Sequence, residues 1–302
     1  MTKSPSFSSW IKAFRLRTLP LAISSIIMGS GLAVFFGSYS WTVIFLAALT
    51  TILLQILSNL ANDYGDFQKG TDNVHRLGPE RAVQSGEISA RQMKTAVIVF
   101  ASLSLFAGVW LLYAALKEQF LMAIVFFALG IAAIVAAVKY TVGKNAYGYS
   151  GLGDLFVFLF FGLTGVIGTY YLNALSISWD VLLPATSVGL LSTGMLNLNN
   201  MRDIDNDIKS GKHTLASKLG LRKAKYYHTF LVVGAILAAL LFIGLHYSLP
   251  WNLLFLIVVP LLFSDLYTIW KTTNQQKLDP FLKRLALSTL VFSILFVLGL
   301  LL

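Results

Sequence analysis

The sequence predicts an all-α membrane protein, a bundle of about nine transmembrane helices forming one polytopic domain over residues 1–302. Three observations carry that reading. Hydrophobic residues make up 57% of the chain and charged residues 12%, about half the ~25% charge of an ordinary soluble domain. The apolar residues gather into runs long enough to cross a bilayer, which takes ~20 residues per helix. The basic residues fall on alternate connections, as expected of a polytopic chain.

The runs cover roughly 18–37, 41–61, 95–115, 119–139, 152–173, 179–199, 226–246, 250–270 and 282–302. The first follows Lys12, Arg15 and Arg17 without an obvious small-residue cleavage site, so it reads as a retained helix. Pro20 stands at its start, where a missing N–H is tolerated. Short connections near 38–40, 116–118, 174–178 and 247–249 alternate with long or basic ones at 62–94, 140–151, 200–225 and 271–281. Of 23 Lys and Arg residues, 22 lie in the N-terminal segment or on the long, basic side; only Lys117 lies opposite. This predicts a cytoplasmic N-terminus. It assigns most of the net charge of +10 to topology, so no nucleic-acid partner is expected. The chain has no cysteine, which excludes disulfides and thiolate metal sites. Gly162, Gly165 and Gly168, with Thr169, form a small-residue stripe in the fifth run and read as close helix packing.

Eight of the 13 acidic residues fall in two long connections: Asp63, Asp66, Asp72, Glu80 and Glu87 in one, Asp203, Asp205 and Asp207 in the other. The first opens Asn62-Asp63-Tyr64-Gly65-Asp66 and continues to Gly70-Thr71-Asp72; the second runs from Asn199 to Asp207. Asn62, Asp66 and Gly70 stand 141 residues before Asp203, Asp207 and Gly211. Each triplet sits just past an apolar run, the second and the sixth, so the two read as copies of one functional element. The pairs Asn59/Asp63, Asn62/Asp66, Asn199/Asp203 and Asp203/Asp207 are all spaced i, i+4, on one helix face. Like charges so placed repel, and a carboxylate drawn toward the bilayer centre costs ~3 kcal/mol. A hard cation compensates, and Mg²⁺ suits oxygen ligands shared with a substrate phosphate. Lys69, Arg76, Arg81, Lys139, Lys144, Arg202, Lys209 and Lys212 can neutralise a diphosphate; Lys144, Arg202 and Lys212 adjoin the motifs. EF-hand, P-loop, dinucleotide and zinc spacings are absent.

These paired motifs resemble the UbiA-type superfamily of intramembrane prenyltransferases, most closely its 1,4-dihydroxy-2-naphthoate polyprenyltransferase branch. Further residues carry the likeness: Arg15-Leu16-Arg17-Thr18-Leu19-Pro20, Arg81-Ala82-Val83, Ser85-Gly86-Glu87-Ile88, Tyr140-Thr141, Gly151-Leu152-Gly153-Asp154 with Phe156-Val157-Phe158, and Gly211-Lys212-His213-Thr214-Leu215-Ala216. The likeness covers roughly 15–225. Gly70 and Gly211 stand where many superfamily members carry a further Asp, which is the pattern of the naphthoate branch.

The resemblance implies Mg²⁺ held by Asn62, Asp63, Asp66, Asn199, Asp203 and Asp207, with polyprenyl diphosphate and 1,4-dihydroxy-2-naphthoate as substrates. It also implies an aromatic face at Tyr140 for the allylic cation, and Arg17 paired with the naphthoate carboxylate. Asn59, Lys69, Asp72, Arg81, Lys144, Arg202 and Lys212 are further expected substrate contacts. The expected location is the bacterial inner membrane, with the site cytoplasmic and the prenyl tail open to lipid. The rivals are another acceptor on the same scaffold (4-hydroxybenzoate, haem or a chlorin) and a cation-coupled transporter, whose carboxylates would lie near mid-span.

Overall fold

The computed structural model describes residues 5–73 and 77–302. Among them, nine helices are long and apolar enough to cross a membrane, and no strand is present. The first crossing is divided into α1 (Phe7–Phe14) and α2 (Leu19–Phe35). The break falls at Arg15, whose φ of 50° is left-handed. There follow α3 (Trp41–Gln68), α4 (Ala90–Ala115), α5 (Phe120–Lys139), α6 (Gly153–Ala174) and α7 (Trp179–Arg202). The short α8 (Ile204–Lys209) precedes α9 (Leu215–His246), α10 (Pro250–Lys271) and α11 (Gln275–Leu301). This is the membrane bundle the apolar runs predict.

The differences lie at helix ends. Hydropathy stops near residue 61, but α3 continues to Gln68 because partners inside the protein satisfy its polar side chains. Asn59 donates to the Phe14 carbonyl and the Thr18 hydroxyl, both at 2.9 Å. Asp63 accepts the Ala82 and Val83 N–H groups at 3.2 and 3.4 Å. The first acidic pair therefore sits on the last turns of a helix rather than in a loop. Likewise α9 opens with a short turn from Leu215, capped by the Thr214 hydroxyl at 3.2 Å from the Ser217 N–H, and is broken by a kink at Gly220, whose φ of 73° is left-handed, before its long run resumes. Within α6, Phe158–Ile167 winds as a π-helix. No hydropathy pattern predicts that. Its wide turns are accommodated by a neighbour: Ser25 Oγ donates to the Phe161 carbonyl at 2.6 Å.

The glycine stripe packs as its spacing suggests. A Cβ on Gly162 would stand 2.8 Å from the Gly189 Cα, and one on Gly165 would stand 2.9 Å from the Ser25 Cβ. The main buried cluster, with Leu32, Leu191, Phe242, Phe255 and Phe296, joins α2, α7, α9, α10 and α11. A second, with Leu57, Leu60, Ile88 and Met93, joins α3, α4 and the chain between them. Helices α2 to α7 line a cavity of about 370 Å³.

Candidate active site

The two acidic motifs end in the same turn. Gly70 and Gly211 both take φ 70°, a conformation that L side chains resist. The Thr71 N–H returns to the Asp66 carbonyl at 3.0 Å, and the Lys212 N–H returns to the Asp207 carbonyl at 2.7 Å. The glycine N–H groups bond Phe67 and Ile208 carbonyls at 3.1 and 3.2 Å. This glycine-ended cap sets Asp66 and Asp207 in equivalent places, so the 141-residue spacing is a repeat of structure. Asn206 Nδ2 joins the copies by donating to the Thr71 carbonyl at 3.0 Å. Both carboxylates are buried.

Cations and a phenol complete this end. Lys212 Nζ lies 4.0 Å from the Asp207 carboxylate. Burial opposes its charge, but Asp66 and Asp207 outweigh burial and hold its pKa above the ordinary lysine range. The Tyr149 hydroxyl donates to Asp66 at 2.8 Å and meets the Thr71 hydroxyl at 2.5 Å. Lys69 and Lys212 lie 3.8 and 5.4 Å from the centre of the Tyr149 ring. Burial and the Asp66 charge push the Tyr149 phenol well above its usual range.

Asn62, Asp66, Asn199 and Lys212 line the polar end of the cavity, with Asn59, Arg15 and Arg81 beside them. From there an aromatic row runs inward. Tyr140 meets Tyr147 edge-on at 5.3 Å, Tyr147 stacks on Phe156 at 4.0 Å, and Phe160 follows at 6.1 Å. Burial pushes the Tyr140 phenol up to about 12. Thr141 seats this segment on the first motif: its hydroxyl donates to the Ala61 carbonyl at 3.0 Å. The apolar end is walled by α4, α5 and α6, where Leu105, Val109, Phe127 and Leu129 are lining residues that are also exposed. An oxygen-rich head with cations, opening into a largely apolar, aromatic channel, suits a phosphorylated amphiphile.

The model of the UbiA prenyltransferase family matches residues 22–290. The chain belongs to the UbiA prenyltransferase family. A Haemophilus influenzae relative described as 1,4-dihydroxy-2-naphthoate octaprenyltransferase is 45% identical over 298 residues, covering 97% of this chain and 95% of that protein. The apo structure of a UbiA homolog from Aeropyrum pernix K1 superposes with a TM-score of 0.67 at 14% identity, over 95% of this chain and 98% of that one. A UbiA homolog from Archaeoglobus fulgidus bound to DMAPP and Mg²⁺ gives 0.57 at 15% identity, over 94% and 99%. At these identities the structural likeness is one of fold.

In this UbiA-family chain, the cavity brings together Asn59, Asn62, Asp66, Arg81, Tyr140, Asn199 and Lys212, with Asp207 beside Lys212. Other residues marked by the sequence are held elsewhere. Both Asp63 oxygens accept backbone N–H groups from Ala82 and Val83. Both Asp203 oxygens accept from Arg202, at 3.0 Å from Nε and 2.6 Å from Nη2. Arg202 is itself fully buried. It also pairs with Asp279 and donates to Asn199 Oδ1 at 2.9 Å, which makes it a clamp between α7 and α11 rather than a cavity cation. Asp72 is buried 3.6 Å from Arg81 Nε. Lys69 sits over Tyr149. Lys139, Lys144 and Lys209 do not line the cavity, and Arg76 lies outside the described residues. Arg17 does not line it either; Arg15 does. Helical spacing marks a face, but it does not say which group on that face a distant backbone donor claims. Sequence reasoning missed Arg15 as the cavity arginine, Tyr149, and the continuation of the aromatic row beyond Tyr140. The one signal for Tyr149 was the aromatic pair Tyr147-Gly148-Tyr149 in a basic connection.

Proposed function

We propose that this chain transfers a polyprenyl group from polyprenyl diphosphate to 1,4-dihydroxy-2-naphthoate, releasing CO₂ and diphosphate and forming demethylmenaquinol. One juxtaposition carries the reading: Asp66 and the buried Lys212 line an aromatic cavity, and Asp207, capped as Asp66 is, stands 4.0 Å from Lys212. The 45% identity, over nearly the full length, to a relative described as a naphthoate octaprenyltransferase favours that acceptor over 4-hydroxybenzoate, haem or a chlorin. The carboxylates lie at helix ends, not mid-span, which disfavours a transporter.

The donor set fits Mg²⁺. Asp66 and Asp207, with the side-chain oxygen of Asn62, offer hard oxygen ligands, while the Asn199 oxygen already accepts from Arg202. Among the described residues no cluster of three acidic or imidazole groups could hold a metal alone. Mg²⁺ typically uses one or two carboxylates and takes its other ligands from water and substrate phosphate. When bound, Mg²⁺ would supply charge neutralisation for the departing diphosphate. A UbiA homolog of the same fold binds Mg²⁺ with DMAPP.

The chain's own residues do the rest. Lys212 and Arg81 neutralise the diphosphate oxygens. Asp63 and Asp203 act one step back, holding the Ala82–Val83 backbone and Arg202 in place. As the allylic C–O bond breaks, the faces of Tyr140 and its row stabilise the cation, and the apolar walls keep water from capturing it. The electron-rich ring attacks, and Arg15 orients its carboxylate until that leaves as CO₂. The site faces the cytoplasm from a bacterial inner membrane in this reading, which the gathering of Lys and Arg on one set of connections supports.

The test is product identity. Membranes containing the chain, given both substrates and Mg²⁺, should form the decarboxylated prenyl naphthalenediol by mass spectrometry. They should lose that activity on chelation and recover it with Mg²⁺. A prenylated 4-hydroxybenzoate in its place would overturn the acceptor assignment, and activity that survives chelation would overturn the metal.

A further inference from the structure

We infer that Tyr149 is a positioning residue of the diphosphate site: its hydroxyl fixes the orientation of the Asp66 carboxylate while its ring seats Lys69 and Lys212. The inference rests on the proposed function, since it concerns the same site. A phenol has one proton, and Tyr149 gives it to Asp66 Oδ1 at 2.8 Å. The Thr71 hydroxyl, 2.5 Å away, is then the donor to Tyr149. A carboxylate torsion is broad and two-fold, so a fixed donor on one oxygen selects an orientation and leaves the other oxygen for a ligand in the cavity that Asp66 lines. Partners of this kind, behind the ligands, set metal affinity in other sites. The same ring has ammonium groups at 3.8 and 5.4 Å, within cation–π reach. One side chain thereby holds an anion and two cations in register.

The backbone makes this role separable from folding. The Tyr149 carbonyl accepts the His213 N–H at 3.1 Å, and Lys218 Nζ donates to the Ser150 carbonyl at 2.8 Å. The segment is docked on the second motif by its main chain, so the phenol is free to organise the first.

The experiment compares wild type, Tyr149→Phe, Tyr149→Leu and Thr71→Val as purified full-length protein. Binding of inorganic pyrophosphate is followed by calorimetry across a Mg²⁺ series, alongside KM for each substrate and the ligand-free unfolding midpoint. Tyr149→Phe should keep its midpoint and its naphthoate KM, and should need about tenfold more Mg²⁺ for half-maximal pyrophosphate binding. Tyr149→Leu, which also unseats the lysines, should add a rise in the prenyl diphosphate KM. Thr71→Val should shift the Mg²⁺ requirement in the same direction, and it decides the matter if the Tyr149 variants fail to fold. Variants that bind at the wild-type Mg²⁺ requirement overturn the inference alone. Equal rises in both KM values, with a lowered midpoint, reduce Tyr149 to packing and also overturn it. A wild-type protein that binds no pyrophosphate at any Mg²⁺ concentration overturns the proposed function as well.

Discussion

Replacing Arg202 with Met separates a structural clamp from a substrate contact. The guanidinium is fully buried, bonded to both oxygens of Asp203, to Asp279 and to Asn199 Oδ1. Methionine fills similar space but leaves the Asp203 side chain, 7% exposed, without its cation. Breaking a buried pair this way costs ~3–5 kcal/mol. The Asp279 side chain is 33% exposed, so water takes over its solvation and its share is that of a surface pair, below ~1 kcal/mol. The lower end of the range applies, about 3 kcal/mol, or about 6 °C at ~2 °C per kcal/mol for a chain this large. Thermal unfolding in detergent, followed by tryptophan fluorescence, measures it. Arg202→Met/Asp203→Asn should recover part of the loss, because no lone carboxylate stays buried. The KM for prenyl diphosphate should stay near wild type. An unchanged midpoint with a tenfold higher prenyl diphosphate KM would refute this and return Arg202 to the substrate.

Asp66→Ala and Asp207→Ala should each cut turnover on the order of 10²–10³-fold with normal insertion and unfolding midpoint; near-wild-type turnover in either would sink the paired site. Arg15→Gln should raise the naphthoate KM about tenfold or more, the loss of a charge-assisted bond worth ~1.5–3 kcal/mol, and leave the prenyl diphosphate KM alone. Arg17→Gln should change neither, and a reversed pattern would restore Arg17 as the acceptor contact. Tyr140 is held as a phenol up to about 12, so its contribution to stability is complete below pH 10 and falls between pH 10 and 12, where the unfolded chain ionises first. Tyr140→Phe should therefore lose less stability than wild type over that window in alkaline unfolding titrations, and an equal loss would contradict the burial of the hydroxyl.

Two features of this protein were legible in the sequence because they are local. A run of apolar residues must be buried in lipid or in protein wherever it falls, so the nine long apolar helices among the described residues follow from hydropathy alone. The 141-residue spacing predicts two equivalent elements because a glycine that ends a helix after an acidic turn specifies its own backbone geometry. Gly70 and Gly211 adopt the same φ of 70°. The end of α3 is not legible for a related reason: hydropathy measures what a residue wants from solvent, whereas a helix persists wherever its polar groups find partners.

Only the tertiary structure decided which charges reach the cavity. Asp63 and Asp66 share one helix, but a chain segment 19 residues further on claims the first, and the second stays at the cavity. Asp203 is taken by the neighbouring Arg202, which α11 supplies with a second anion. Arg15 rather than Arg17 lines the cavity, at the residue where the chain turns left-handed. Tyr149 reaches Asp66 from 83 residues away. Periodicity describes one helix at a time, while a buried polar group is satisfied by whatever donor the packing delivers, and that donor lies far off in the chain.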